Sequence, residues 1–200
     1  MKSVASSNGV PLTELESLNR MAHIWNRARR YADMHGFGEW RTANMMAGLN
    51  ECFNQQEALE HSFSTLFPGA VEALEDLVSG SYMLGMVTTA SRAGFERVSN
   101  CEEFGHFGRY FIHSITRDDC CYVKPDPEPI SRILRLFSRS DFIYIGDSDH
   151  DAEASKAAGG SFILLNSKLY DEDMVRRMNP NGVIDRLSEL PDMVSRISFN

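Results

Sequence analysis

The sequence of 200 residues lacks most of the features that would tie a chain to a membrane, a metal cluster or a polyanion. Its four cysteines, Cys52, Cys101, Cys120 and Cys121, form no Cys-x-x-Cys pair and no zinc-ligand spacing. Reduced thiols are therefore expected, and with them a cytoplasmic location. No run is long and apolar enough for a membrane-spanning helix, and Met1 to Pro11 lack the apolar centre of a signal peptide. Lysine and arginine never run longer than a pair and the formal net charge is -8, which argues against broad binding to nucleic acid or to anionic lipid. Internal repeats and low-complexity segments are missing as well.

What is present is enough apolar residue, 42%, to bury a sizeable core. Three short apolar segments ending in polar or glycine residues read as buried parallel strands: Tyr82 to Val87, Asp141 to Ile145, and Phe162 to Leu165. Helical spacing lies between them, in Ala70, Leu74, Leu77 and Val78 and again in Ile130, Ile133, Leu134 and Phe137. This alternation predicts an α/β fold with a doubly wound parallel sheet. From Leu12 to about Phe67 the alternation stops. Leu12, Leu15, Leu18, Met21, Trp25 and Ala28 recur at helical spacing, Gly36 and Gly38 end that first long helix, and Phe67-Pro68-Gly69 marks the return. The expected organisation is a small α-helical cap, 12–67, inserted in an α/β core made of 1–11 and 68–200.

Open parallel sheets bind ligands beyond the carboxyl ends of their strands, so the first polar residues after each strand are the candidates for chemistry. The strand Phe142 to Ile145 runs into Gly146-Asp147-Ser148-Asp149-His150-Asp151, which places Asp147 at the strand tip and Asp151 one helical turn on. Two hard oxygen donors grouped in this way suit magnesium; they also suit helix capping. His150 is expected to be an exposed first-turn residue. Lys124 opens Lys124-Pro125-Asp126-Pro127-Glu128-Pro129, where the prolines hold the backbone out of a helix, so the lysine can either neutralise a phosphate or stand solvated in a loop. Thr88 and Thr89 follow the first strand. The Thr88 hydroxyl and backbone N–H groups near a helix start at Ser91 could hold a phosphate oxygen, although threonine is also an ordinary strand residue.

Together these segments resemble the haloacid dehalogenase superfamily, with its Rossmann-like core. The order of Thr88 at one strand end, then Lys124, then Gly146-Asp147 with Asp151 matches its phosphatases. So do Phe67-Pro68-Gly69-Ala70, Lys124-Pro125-Asp126-Pro127, Tyr144-Ile145-Gly146-Asp147-Ser148, Ala158-Gly159, and the closing Gly182-Val183-Ile184 with Leu187 to Leu190. The likeness is strongest to phosphoglycolate phosphatase-like members with an early helical cap. It implies phosphate binding by Thr88, Thr89 and Lys124, magnesium at Asp147 and Asp151, and a small phosphorylated metabolite or phosphate as partner.

The resemblance fails at the start. Such enzymes open on a strand ending in Asp-x-Asp-Gly-Thr or Asp-x-Asp-Gly-Val, and this sequence has Ser6 where the nucleophile would stand and Asn8 where the acid/base would stand, with Gly9 and Val10 in place. A serine without a base is a poor nucleophile and asparagine carries no proton, so turnover should fall severely. Loss of a general acid/base costs roughly 10²- to 10⁴-fold and loss of a nucleophile about 10⁶-fold. Magnesium would be held weakly or lost. Three explanations stand: a degenerate non-catalytic member, a start from which the true motif was removed, or a different nucleophile. Two further functions compete with a phosphate-binding relic: an active magnesium-dependent phosphatase with Arg27, Arg29 or Arg30 steering substrate, and a helical interaction module exposing Met45, Met46 or Phe53.

Overall fold

The computed structural model describes residues 1–60, 65–168 and 170–197, so residues 61–64, 169 and 198–200 of the segments expected above lie outside the described residues. The chain divides into two compact units, Met1–Ser64 with Cys121–Val123, and Thr65–Cys120 with Lys124–Asn200.

The first unit is helical: α1 (Lys2–Ser7), α2 (Met21–Met34) and α3 (Glu39–Glu60). Its core joins Ala5, Val10, Leu15, Trp25, Met45 and Leu49. The spacing that suggests one helix from Leu12 onward comes from two pieces, a single 3-10 turn at Leu12–Glu14 and α2, with Arg20 extended between them. Leu15, which closes the 3-10 turn, still reaches the core. Helix α2 stops one residue short of His35, and Gly36 takes a left-handed φ of 64° that lets the chain turn. Met45 is fully buried, and Met46 and Phe53 pack on the same core. Those three residues therefore form no exposed interaction face. Arg27 pairs with Glu14 at 3.1 Å, Arg29 with Asp33 at 3.0 Å, and Arg30 lies over the Tyr122 ring.

A side chain of α2 fastens residues 121–123 into this unit. Buried Asn26 donates from Nδ2 to Val123 O at 2.7 Å and accepts from Val123 N at 2.9 Å, completing both backbone groups of a residue that is 1% exposed.

The second unit alternates strand and helix: α4 (Ala70–Ser79), β1 (Gly85–Val87), α5 (Arg92–Ser99), β2 (His113–Ile115), α6 (Glu128–Phe137), β3 (Ile143–Gly146), α7 (Asp149–Ala157), β4 (Ser161–Leu165), α8 (Glu172–Met178), β5 (Gly182–Ile184) and α9 (Leu190–Arg196). Among the described residues all strand pairings are parallel, which agrees with the sequence reading. Helix α6 forms because Ile130 and Ile133 share a buried face and Pro129 sits in the first turn, where its missing N–H costs nothing. Strand β2 escapes the sequence reading because His113 and Ser114 break the apolar run.

Among the described residues the sheet is in two pieces, β1–β2 and β3–β4–β5. The consequence is visible in burial. β4 has four of five residues buried, whereas all four residues of β3 are half-buried, because β3 pairs on one side only. Leu77, Ile163, Ile184 and Val194 make one cluster with Ile143 and Ile145; Val87, Ile115, Ile130 and Ile133 make another with Tyr144. The alternation along β3 thus feeds cores on both faces. All four cysteines are free, and among the described residues no helix is long and apolar enough to cross a membrane.

Replacing Asn26 with leucine leaves the N–H and C=O of Val123 buried and unbonded. We expect a loss of about 2–6 kcal/mol of stability, read from chemical denaturation, at roughly 1–3 kcal/mol per orphaned group. A loss under 0.5 kcal/mol would contradict the role assigned to this clasp.

Candidate functional site

The carboxyl ends of β1 and β3 carry the candidates, and Asp151 organises them. Helix α7 begins at Ser148, whose hydroxyl accepts from Asp151 N at 3.2 Å and donates to Asp151 Oδ2 at 2.5 Å. That turn brings the Asp151 side chain back against the strand tip. A Cβ on Gly146 would stand 2.5 Å from Asp151 Cβ, so only glycine allows this approach. Asp147 N adds a second contact to Oδ2 at 3.3 Å.

Asp151 Oδ1 receives Lys124 Nζ at 2.5 Å, with only 13% and 7% of the two side chains exposed. Nζ also donates to Tyr144 Oη at 3.0 Å, and that hydroxyl lies 3.3 Å from Asp151 Oδ1 and 3.4 Å from Val87 O. Burial alone would drive both groups neutral. It is outweighed for Lys124 by Tyr144 and Asp151, which raise its pKa, and for Asp151 by Lys124, Ser148 and the Asp147 N–H, which lower it. The pair is therefore ionised, and two of the three ammonium donors are used within the protein. Burial pushes the Tyr144 hydroxyl up.

Thr88 follows β1 directly. Its N–H donates to Ile115 O at 2.9 Å, and its hydroxyl accepts from Ala90 N at 3.1 Å, turning the chain toward α5. Ser91 caps α5 by accepting from Gly94 N at 3.0 Å, as the sequence suggests. The helix start already has a carboxylate, however: Asp118 Oδ2 accepts from Arg92 N at 2.8 Å. The Thr89 carbonyl accepts from Arg117 Nη1 at 2.7 Å, and Arg117 is 1% exposed. Asp119 completes this neighbourhood, accepting from Thr116 N and Oγ1 at 2.7 and 2.8 Å and pairing with Arg92 at 2.5 Å. Sequence reasoning misses Arg117, Asp118 and Asp119. The signal that could have found them is the first-polar-residue rule applied at Thr116, after a strand that polar residues disguise.

Asp147 is partly exposed and pairs with Lys168 at 3.0 Å; its carbonyl accepts from Tyr170 Oη at 3.3 Å. His150 sits in the first turn of α7, half-buried where the sequence suggested exposure. Thr88, Thr89, Lys124, Asp147 and Asp151 all fall in the α/β unit, and Ser6 and Asn8 in the helical one.

A family model described as haloacid dehalogenase-like hydrolase matches residues 16–165, three quarters of the chain. The chain belongs to this family. Among relatives of the haloacid dehalogenase-like chain, the pyrophosphatase PpaX of Bacillus mycoides (strain KBAB4) is 27% identical over 163 residues, covering 78% of this chain and 73% of the relative. The match to PpaX of Bacillus cereus (strain ATCC 10987 / NRS 248), 25% identical, covers 71% of this chain but only 63% of that relative. In fold, the chain is similar to a predicted phosphoglycolate phosphatase from Haemophilus somnus 129PT, with TM-score 0.61, 18% identity, and 96% and 88% of the two chains covered. It is likewise similar to CbbY from Rhodobacter sphaeroides in complex with phosphate, with TM-score 0.58, 21% identity, and 72% and 65% covered. The fold is thus the Rossmann-like core with a helical cap of the haloacid dehalogenase-like hydrolases.

The residues expected at the nucleophile and acid/base positions lie in a helix and at its end. Ser6 lies within α1 rather than at a strand end, and Asn8 caps that helix: its Nδ2 donates to Val4 O at 2.9 Å, its Oδ1 accepts from Asn44, and its carbonyl accepts from Arg41 Nε at 2.8 Å. Magnesium fits the acidic pair poorly. Both Asp151 oxygens are engaged by Lys124, Tyr144, Ser148 and Asp147 N, which leaves the single carboxylate of Asp147, itself paired with Lys168. Among the described residues no group of three or more metal-ligating side chains is gathered.

Breaking the buried pair from one side should be costly. Lys124→Met leaves the Asp151 carboxylate uncompensated and is expected to destabilise by about 3–5 kcal/mol, while adding Asp151→Leu recovers most of that loss; denaturant titration of the three proteins checks it. Equal stability of the single and double variants would refute the pairing. Asp119 gives a pH prediction. Burial would raise its pKa, but the Thr116 N–H and hydroxyl and Arg92 outweigh it and hold it below the usual carboxylate range. A depressed folded value stabilises above the unfolded value of about 3.9 and is lost as pH falls below it. Thermal melts of Asp119→Asn should lie below the native protein at pH 7, with the gap closing as pH falls below the unfolded carboxylate value of about 3.9.

Proposed function

We propose that this haloacid dehalogenase-like protein binds phosphate or a small phosphorylated metabolite at the ends of β1 and β3, and that hydrolysis is absent or very slow. The observation that carries this reading is the state of Lys124. It is held charged by Asp151, fixed against Tyr144 beside Val87 and Thr88, and retains one of its three donors. A fixed ammonium together with a threonine hydroxyl is the chemistry that recognises a phosphate oxygen. The phosphate seen with CbbY, a protein of the same fold, is consistent with it.

The chain offers no carboxylate nucleophile in this reading. Asp151 is consumed by its four contacts, Asp147 is paired with Lys168, and Ser6 and Asn8 are given no chemical step. The poor fit of magnesium points the same way, since the metal would otherwise neutralise the phosphate as charge moves onto it.

Calorimetric titration with inorganic phosphate should show saturable one-site binding. Thr88→Val should weaken it about tenfold or more, as expected for loss of a hydrogen bond to a charged group. Hydrolysis of p-nitrophenyl phosphate with added magnesium should be undetectable for the native chain and for Ser6→Asp with Asn8→Asp. Turnover by the native chain would replace this reading with that of an active magnesium-dependent phosphatase, and turnover appearing only in the double variant would restore Ser6 and Asn8 to the site.

A further inference from the structure

Asp147 stands at the tip of β3 with a positive charge already against it, the ammonium of Lys168, 3.0 Å from Asp147 Oδ2. β4 runs parallel to β3 with Leu164 opposite Gly146, so the chain that leaves the carboxyl end of β4 arrives on the same edge of the sheet as Asp147. The loop that carries Lys168 is tied on both sides of it. Asn166 N donates to Ile184 O at 2.9 Å and so continues the ladder between β4 and β5. Asn166 Oδ1 accepts from Tyr170 N at 2.8 Å, and Tyr170 Oη donates to the Asp147 carbonyl at 3.3 Å. Lys168 is therefore set against Asp147 by its loop and not by the ion pair alone, which for a half-exposed pair would be weak.

The electrostatics of the strand ends give this lysine a task. Lys124 is 13% exposed and its charge is balanced by the buried Asp151, so that pair offers an anion a hydrogen-bond donor but little net charge. A phosphate that approaches the strand ends also meets the Asp147 carboxylate, whose like charge opposes it unless a cation stands there. Magnesium fits that position poorly. Partial burial disfavours the charge of Lys168, but Asp147 outweighs it and, with Tyr170 and Asp151, holds the lysine pKa above its ordinary value. Asp147 takes one of the three ammonium donors, and about half of the side chain (49%) is exposed, so an incoming oxyanion can reach the rest.

We propose that Lys168 is a tethered counter-cation: it takes at Asp147 the place of a divalent metal and donates directly to the bound phosphate group. The proposal rests on the phosphate reading above and adds to it a second binding residue and independence from magnesium. It also reverses the role of Asp147. In a metal-bridged site the carboxylate would help phosphate to bind, whereas here it competes with phosphate for Lys168.

The test is calorimetric titration of the full chain with inorganic phosphate, in EDTA and again in millimolar magnesium. The native chain should bind equally in both. Lys168→Met should weaken binding about tenfold or more, as for loss of a hydrogen bond to a charged group. Asp147→Asn, which frees the lysine and removes a like charge, should tighten binding about threefold or more. The double variant separates direct contact from simple neutralisation of Asp147, and should bind more weakly than the native chain. A double variant that binds as tightly as the native chain or as Asp147→Asn overturns the proposal, because Lys168 then gives nothing to the phosphate. Binding that needs magnesium and is weakened by Asp147→Asn overturns it as well, since a metal then holds the place assigned to the lysine. No binding by the native chain in either buffer refutes the phosphate reading itself, and this proposal with it.

Discussion

Asp151 is the residue on which the strand-end site depends. Its carboxylate is buried and ionised, so it must be surrounded by donors, and the chain supplies them from three places: Ser148 and Asp147 N in its own turn, Tyr144 in β3, and Lys124 from the loop that follows residues 121–123. Each requirement constrains the sequence. Glycine is needed at 146 for the approach of the side chain, a hydroxyl at 148 for both the cap and the carboxylate, and a long cation at 124 to reach across. Removing water from such a pair is expensive, and the arrangement persists because every oxygen of the carboxylate is satisfied.

That same saturation explains why a family signature does not translate directly into family chemistry. The spacing of Asp147 and Asp151 is that of a metal-binding loop, yet the geometry spends Asp151 on Lys124 and leaves Asp147 to Lys168. Around Thr88 the pattern repeats. The start of α5, which could have received an anion, already bonds Asp118 at Arg92 N, and the Thr89 carbonyl is fixed by the buried Arg117. The phosphate proposed above would meet the Thr88 hydroxyl and the third donor of Lys124.

Features set by local pattern were legible in the sequence. The helices at Ala70–Ser79 and Glu128–Phe137 followed from apolar spacing, the β4 strand from a continuous apolar run, and the Gly146 to Asp151 turn from a strand tip followed by a cap. Features set by tertiary partners were not. Lys124 and Asp151 are 27 residues apart, and nothing local to either announces the other. Strand β2 carries a histidine and a serine that read as loop, and Lys2–Ser7 is short and of mixed composition, so packing on Met45 and Trp25 in the helical unit decides that it is helix. The split sheet was invisible for the same reason, since an unpaired edge has the same sequence as a paired one.

We propose that the ends of β1 and β3 hold a phosphate through Thr88 and Lys124 without a metal beside them. Diffraction from crystals grown with tungstate, a heavy tetrahedral oxyanion that mimics phosphate, tests it most directly. An anomalous peak is expected within hydrogen-bonding reach of Thr88 Oγ1 and Lys124 Nζ, with Lys124 still bonded to Asp151. A tungstate site elsewhere on the chain with none at these residues, or Lys124 released from Asp151 to a bound metal, would contradict it.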